Sequence, residues 1–129
     1  MGAFVATVVS NPCLDWLTGR SNPSATGTRY VSIWNGDPQG AGSEVINTIT
    51  GSATRPSIAF AAASAGSAAS NADVTFTTNA AGSGTVSYVA LHTAATAGSI
   101  MASCAVTSKA ITAGDSLKIL SGNATVSIT

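Results

Sequence analysis

Residues 74–92 read VTFTTNAAGSGTVSYVALH, and this stretch decides the fold class. Its first five residues alternate between apolar and threonine side chains, which is the period-two pattern of a half-buried strand. Val74 and Phe76 are therefore expected to face the core, while the threonines face water. After turn residues at 82–84, residues 85–92 are apolar on both faces, which indicates a central strand buried between two layers.

The same pattern extends outward from this stretch in both directions. From Arg29 onward, β-branched residues alternate with polar ones, and Gly, Asn, Asp and Pro mark the turns. Further strands are predicted at residues 30–34, 58–62, 100–106, 117–120 and 124–128, with a weaker candidate at 44–49. About seven to eight short strands without alternating helices predict an all-β fold, either an antiparallel β-sandwich or a jelly-roll-like barrel.

One short N-terminal helix is predicted ahead of the strands. Asn11 suits the N-cap, Pro12 suits the first helical position, and Gly19 suits the position just past the end. Leu14 and Leu17 lie at helical spacing, so we expect them to dock this helix on the core. This is the only helix that the sequence predicts convincingly.

Length and charge bound the class of protein. The 129 residues suit one domain, which we divide into an N-terminal arm with the short helix, residues 1–28, and a β-sandwich, residues 29–129. Charged residues make up 8% of the chain and its formal net charge is zero. A neutral surface suits a chain that lives inside an assembly, because freely diffusing proteins usually carry net charge. The five basic residues are scattered singly and no apolar run reaches the ~18 residues of a membrane span, so we predict no nucleic-acid or membrane partner.

Side chains suited to catalysis or metal binding are few. The only histidine, His92, ends an apolar strand, where a structural role is expected, and no Gly-x-Ser-x-Gly motif is present; we therefore predict that the protein is not an enzyme. Cys13 and Cys104 lie too far from each other and from His92 for zinc-ligand spacing, and they are expected to be buried free thiols. Asp37 and Glu44 are the only acids that share a loop, so a backbone-assisted calcium site there is a minor alternative to the prediction of no metal and no cofactor.

Four aromatic residues are the candidate contacts with a partner. Tyr30 and Trp34 lie on the strand face opposite Val31 and Ile33, while Trp16 is in the short helix and Phe4 is in the N-terminal arm. Aromatic residues are enriched at interface hot spots. The alternative for Tyr30 and Trp34 is that both faces of the strand are covered within the domain.

The order of several strand and turn motifs resembles a family of small virion proteins of tailed bacteriophages, generally described as tail fibre or virion structural proteins. The motifs that carry the resemblance are residues 30–38 (Tyr-Val-Ser-Ile-Trp-Asn-Gly-Asp-Pro), the pair Glu44-Val45, Arg55 before the next strand, residues 71–76, residues 84–92, and the final hairpin at 111–122. The resemblance covers most of the chain. The chain departs from the family pattern at residues 32–35, where it has Ser-Ile-Trp-Asn and the family tends to have Gly-Leu-His-Thr.

The resemblance implies a β-sandwich that is displayed on, or built into, a phage particle, without catalytic residues. Two structural roles compete: a capsid decoration (cement) protein that stabilises the assembled head, which we favour, and a tail fibre or minor tail protein that contacts the host. A carbohydrate-binding sandwich module is a further alternative. The implied partners are the major capsid protein or other virion proteins and further copies of the chain, with a trimer favoured. The implied location is the virion, assembled in the host bacterial cytoplasm.

Overall fold

The computed structural model describes residues 3–22, 27–78 and 82–127. The N-terminal elements are β1 (Ala3–Phe4), a π-helical segment (Ala6–Ser10) and α1 (Asn11–Leu17). They are followed by β2 (Arg29–Trp34), α2 (Ile46–Thr50), β3 (Ser57–Ile58), β4 (Ser67–Ala69), β5 (Val74–Thr77), β6 (Gly84–His92), β7 (Ile100–Ile111), β8 (Ser116–Ile119) and β9 (Thr125–Ser127). The predicted strand at 124–128 extends to Ile128, which lies outside the described residues.

The largest sheet has five strands in the order β1-β7-β6-β2-β3. Every pairing in it is antiparallel, and β6 lies in the middle with β7 on one side and β2 on the other. This placement confirms that residues 85–92 form a central strand. The β6–β7 ladder is interrupted between Val86 and Tyr88, where β7 carries extra residues that bulge from the pairing.

Two smaller antiparallel sheets, β4-β9 and β5-β8, complete the fold. Val74 and Phe76 of β5 are buried while Thr75 and Thr77 are exposed, as the alternating sequence predicts. The core lies between the large sheet, the β5-β8 sheet and α2; its buried members are Val31, Ile33, Val45, Ile46, Ile49, Ile58, Val74, Phe76, Val86 and Ile111. The all-β, antiparallel prediction is confirmed, and the sheets of the described residues do not close into a barrel.

The weak strand prediction at residues 44–49 is wrong, because a second helix, α2, begins at Ile46. Ile46 and Ile49 lie three positions apart on one helical face, and both are buried in the core. Gly51 then ends the helix in the left-handed conformation with φ 73°, and its N–H donates to the carbonyl of Asn47. Within residues 44–49, Glu44 forms an isolated antiparallel bridge with Trp34.

The N-terminal helix is present, and its surroundings differ from the prediction. It begins at Asn11, so Ser10 rather than Asn11 precedes it at the cap, and no side-chain cap hydrogen bond is formed. Leu14 and Leu17 are exposed, which makes the expected docking of α1 on the core wrong. The arm is held to the large sheet by β1, which pairs with β7.

The two cysteines are free, and they are not the buried thiols that were expected. Cys13 is exposed on α1 and Cys104 is partly exposed on β7. Since neither thiol is enclosed by the core, both are accessible to reagents that modify cysteine.

Candidate functional site

A buried polar cluster lies on the face of the large sheet opposite Val31 and Ile33. Ser32 is 0% and His92 2% exposed, and Ser32 Oγ and His92 Nε2 form a hydrogen bond of 2.7 Å. Trp34 donates from Nε1 to the same Ser32 hydroxyl at 2.6 Å, and its ring stacks on the His92 ring with centroids 6.4 Å apart. Because buried polar groups are costly unless paired, this cluster ties β2 to β6 on the side away from the core.

A buried ion pair sits beside this cluster. The guanidinium of Arg55 donates from Nε and Nη2 to the two carboxylate oxygens of Glu44, at 2.7 and 2.8 Å. The Arg55 side chain is 8% exposed and that of Glu44 22%. Such a bidentate, charge-assisted pair fixes the relative orientation of both groups as well as their distance.

Arg55 also holds the β6–β7 turn, residues 93–99. Its remaining donors go to three carbonyls of this turn: Nη1 to Ala94 at 3.1 Å and to Ala97 at 2.7 Å, and the backbone N–H to Ala95 at 2.9 Å. One side chain therefore joins the segment after β2, the α2–β3 connection and the β6–β7 turn. We call the group formed by Arg55, Glu44 and the β6–β7 turn the arginine staple.

The glycine-rich loop, residues 35–43, leaves β2 and returns to it. Its ends are joined because Asn35 donates its N–H to the carbonyl of Ser43 at 3.1 Å, and Ser43 donates its N–H to Asn35 Oδ1 at 2.8 Å. Gln39 Nε2 donates to Ser103 Oγ on β7 at 3.0 Å, which lays the loop across the polar face of the sheet. A Cβ at Gly42 would collide with the backbone of Gly36, so the closure of this loop requires glycine there.

His92 is held in its neutral form by these surroundings. The pKa of His92 is lowered from 6.5 to about 4, first by burial of the ring and then by the Arg55 cation, while the Glu44 carboxylate opposes the change. Nδ1 is buried and has no hydrogen-bond partner among the described residues. A proton added there at acid pH would place a charge in a buried site beside a guanidinium.

This lowered pKa predicts a specific loss of stability in acid. Between about pH 6.5 and pH 4 the unfolded chain binds a proton that the native protein does not, so the free energy of unfolding is highest above this window and falls as pH decreases through it. We expect a loss of about 2 to 3 kcal/mol across the window, measured by urea denaturation at a series of pH values.

The matched control is His92→Gln, which keeps a hydrogen-bonding side chain and removes the only imidazole in the chain. The variant is expected to be less stable at pH 7.5 and to show a flatter pH dependence between pH 6.5 and pH 4. An unchanged slope in His92→Gln would mean that carboxylates, rather than His92, set the acid sensitivity.

The four aromatic candidates are placed in different surroundings. Trp34 and Tyr30 are half-buried on the polar face of the large sheet, and the Trp34 indole is already bonded to Ser32 inside the cluster. Phe4 pairs with Ala102 of β7 and therefore lies on the opposite, apolar face. Trp16 is largely exposed on α1. The structure thus brings Tyr30 and Trp34 together and keeps Phe4 apart from them.

Sequence reasoning missed the ion pair and the role of Ser32. Arg55 was noted as part of a motif order, and Glu44 as part of the same order and as a possible calcium ligand, but the two were not paired with each other. The available signal was their rarity in a chain that is 8% charged, because a charged residue that is buried is nearly always paired. Ser32 gave no signal of its own, since a serine between two strand residues is ordinary at an exposed face.

The bonded Ser32 and His92 resemble part of a nucleophilic triad, but the rest of the geometry differs. The Ser32 hydroxyl is enclosed and bonded to Trp34, and the carboxylate of Glu44 faces Arg55 rather than His92 Nδ1. A triad needs an accessible nucleophile and a carboxylate that orients the imidazole.

Among the described residues, no group of three His, Cys, Asp or Glu side chains could hold a metal ion. The calcium alternative at Asp37 and Glu44 also loses a ligand, because Glu44 is bound to Arg55.

The fold and this cluster define a class: an antiparallel β module whose buried polar groups hold connecting segments in place. Residues 5–127 match the model of the family described as podophage GP4 fiber I protein gp80, and the chain belongs to this family. It is therefore a phage structural protein, which agrees with the resemblance read from the motif order. No curated protein matches the chain. No helix in the described ranges is long and apolar enough to cross a membrane.

Proposed function

We propose that the protein is a non-enzymatic structural subunit of a podophage tail fibre, present in the virion and assembled in the host cytoplasm. The observation that carries this proposal is the match to a fibre family over nearly the whole chain, residues 5–127. The sequence alone favoured capsid decoration; the family description supports the fibre alternative instead. Its partners are then other fibre or tail proteins and further copies of itself.

The arginine staple supports a structural role for the connecting segments. A fibre that meets a host surface needs loops held in one conformation, because ordering a mobile loop on contact costs conformational entropy. Arg55 fixes the β6–β7 turn and Glu44, and the bond from Gln39 to Ser103 fixes the glycine-rich loop against the sheet. These loops are the part of the molecule that we assign to contact with a neighbour or a receptor.

Copy number in purified virions tests the fibre role. We expect few copies of this chain relative to the major capsid protein when both are quantified by mass spectrometry. Particles assembled without the chain are expected to adsorb poorly to the host and to release their DNA at the same temperature as complete particles. Normal adsorption by such particles would contradict the proposal.

Capsid decoration is the second candidate, and it is favoured by the low charge of the chain, 8%, and by its zero net charge. A protein that binds only the assembled shell stabilises it by mass action. Decoration would therefore give an abundance comparable to that of the major capsid protein, and particles lacking the chain would release DNA at a lower temperature. The same two measurements separate the two roles.

A further inference from the structure

The hydrogen bonds that join Trp34, Ser32 and His92 have a direction. The Trp34 indole N–H can only donate, so Ser32 Oγ accepts it, at 2.6 Å. Ser32 Oγ also lies 2.7 Å from His92 Nε2, and its hydroxyl proton has no other acceptor among the described residues. The arrangement that satisfies Ser32 therefore has its hydroxyl donating to an unprotonated Nε2, which places the proton of the neutral ring on Nδ1.

The opposite tautomer of His92 leaves more buried polar atoms without partners. If Nε2 carried the proton, Ser32 Oγ would accept two hydrogen bonds and its own proton would have no acceptor. The unpaired Nδ1 of His92 would remain unpaired as well. Both side chains are enclosed, so water does not supply the missing partners from outside. Because each buried unpaired polar group is costly, the ring with its proton on Nδ1 is favoured.

A second proton on His92 breaks this chain of hydrogen bonds. In the imidazolium form both ring nitrogens donate, so Nε2 can no longer accept from Ser32. The hydroxyl proton of Ser32 and the Nδ1–H of His92 then both lack acceptors in a buried site. Trp34 is the member of the chain that can leave, because its side chain is only partly buried and its N–H can bond to water once the ring moves.

The charges near His92 oppose its protonated form on balance. Arg55 places a second cation near the ring, and both carboxylate oxygens of Glu44 are already bonded to that guanidinium. From β2, Tyr30 pairs with His92 across the sheet, and a tyrosine carries no charge in acid. From β7, Ile100 pairs with His92, and neither it nor the β6–β7 turn has an ionisable side chain. The imidazolium would therefore have no carboxylate of its own.

We infer that Trp34, Ser32 and His92 form an acid-sensitive latch, which holds the Trp34 indole against the large sheet while His92 is neutral and releases it when His92 is protonated. The glycine-rich loop begins directly after Trp34, so the latch also fixes the base of that loop. This local release occurs in the folded protein, and it is distinct from the loss of overall stability in acid. It is independent of whether the protein serves in a fibre or on the capsid.

The fluorescence of Trp34 tests the latch. Trp16→Phe removes the only other tryptophan of the chain, which is largely exposed. In this variant we expect the Trp34 emission to shift to longer wavelength as the pH is lowered from 7.5, with a midpoint near the lowered pKa of His92, about 4. The far-UV circular dichroism of the same samples should stay unchanged. A shift that appears only together with loss of the far-UV signal would overturn the inference, as would the absence of a shift.

His92→Gln in the same background is the matched control. The glutamine amide offers a donor and an acceptor at every pH, so it can bond to Ser32 without titrating. We expect no shift of the Trp34 emission over the same pH range. A shift with an unchanged midpoint would assign the effect to a carboxylate such as Glu44 and would overturn the latch.

The tautomer of His92 gives a test that needs no variant. Because His92 is the only histidine, the two ring nitrogens can be assigned directly by NMR in ¹⁵N-labelled wild-type protein. At pH 7.5 we expect a neutral ring with the proton on Nδ1 and an unprotonated Nε2. A neutral ring with the proton on Nε2 would contradict the direction of the hydrogen bonds on which the latch depends.

Discussion

Replacing Arg55 with methionine is expected to lower the free energy of unfolding by about 3 to 5 kcal/mol, because the substitution leaves the Glu44 carboxylate partly buried without its cation. The carbonyls of Ala94 and Ala97 lose their donor at the same time. Methionine keeps most of the aliphatic length of arginine, so the loss reports on the guanidinium rather than on packing. Urea denaturation at pH 7.5 measures the change.

Lys118→Met is the matched control for this prediction. Lys118 pairs with Asp73 at 3.7 Å, and both side chains are about half exposed, 43% and 47%. Exposed pairs of this kind contribute at most about 1 kcal/mol, so the control should remain close to the wild type. The double variant Glu44→Gln with Arg55→Met removes the unpaired charge and is expected to recover part of the lost stability. Equal effects of Arg55→Met and Lys118→Met would contradict the assignment of Arg55 as a buried staple.

The β-strands could be predicted from sequence because their burial follows the alternation of side chains. In β5, Val74 and Phe76 face the core and Thr75 and Thr77 face water, which is the pattern that the sequence shows directly. Residues 85–92 are apolar on both faces, and β6 is accordingly the central strand of the large sheet. In these segments, local pattern and tertiary packing favour the same structure.

The two helices show where sequence reasoning was insufficient. In α2, β-branched residues such as Ile46 and Ile49 have high strand propensity, and only their contact with the core, followed by Gly51, selects the helix. In α1, the spacing of Leu14 and Leu17 indicated an apolar helical face correctly, but spacing does not say which surface the face contacts. No part of the described chain covers these two leucine side chains.

The candidate site was less predictable than the fold because it depends on contacts distant in sequence. Ser32 and His92 are separated by 60 positions, and Arg55 reaches the carbonyl of Ala97 across 42. The position of His92 at the end of an apolar strand predicts a structural role, and the structure places its ring in a buried site. Nothing in the sequence indicated that Trp34 donates into the same cluster, since its distance from His92 is set by the pairing of β2 with β6.

Truncating Phe76 to alanine is expected to cost about 3 to 5 kcal/mol in the free energy of unfolding. The ring is 2% exposed and is among the largest fully buried side chains of the protein. It lies on β5 opposite Leu117 of β8, so its removal leaves a cavity at the contact between the small sheet and the rest of the core. Only 5% of the chain is aromatic, which leaves few large side chains that could move in to fill the space.

Thr75→Ala is the matched control on the same strand, since Thr75 neighbours Phe76 and points to solvent. Its effect is expected to stay within about 0.5 kcal/mol. A loss below about 1 kcal/mol in Phe76→Ala would mean that the ring is not enclosed and that the register of β5 against β8 is wrong by one residue, because such a shift exchanges the buried and exposed faces of the strand. The change in the free energy of unfolding caused by Phe76→Ala therefore tests whether the β5-β8 sheet packs over the core.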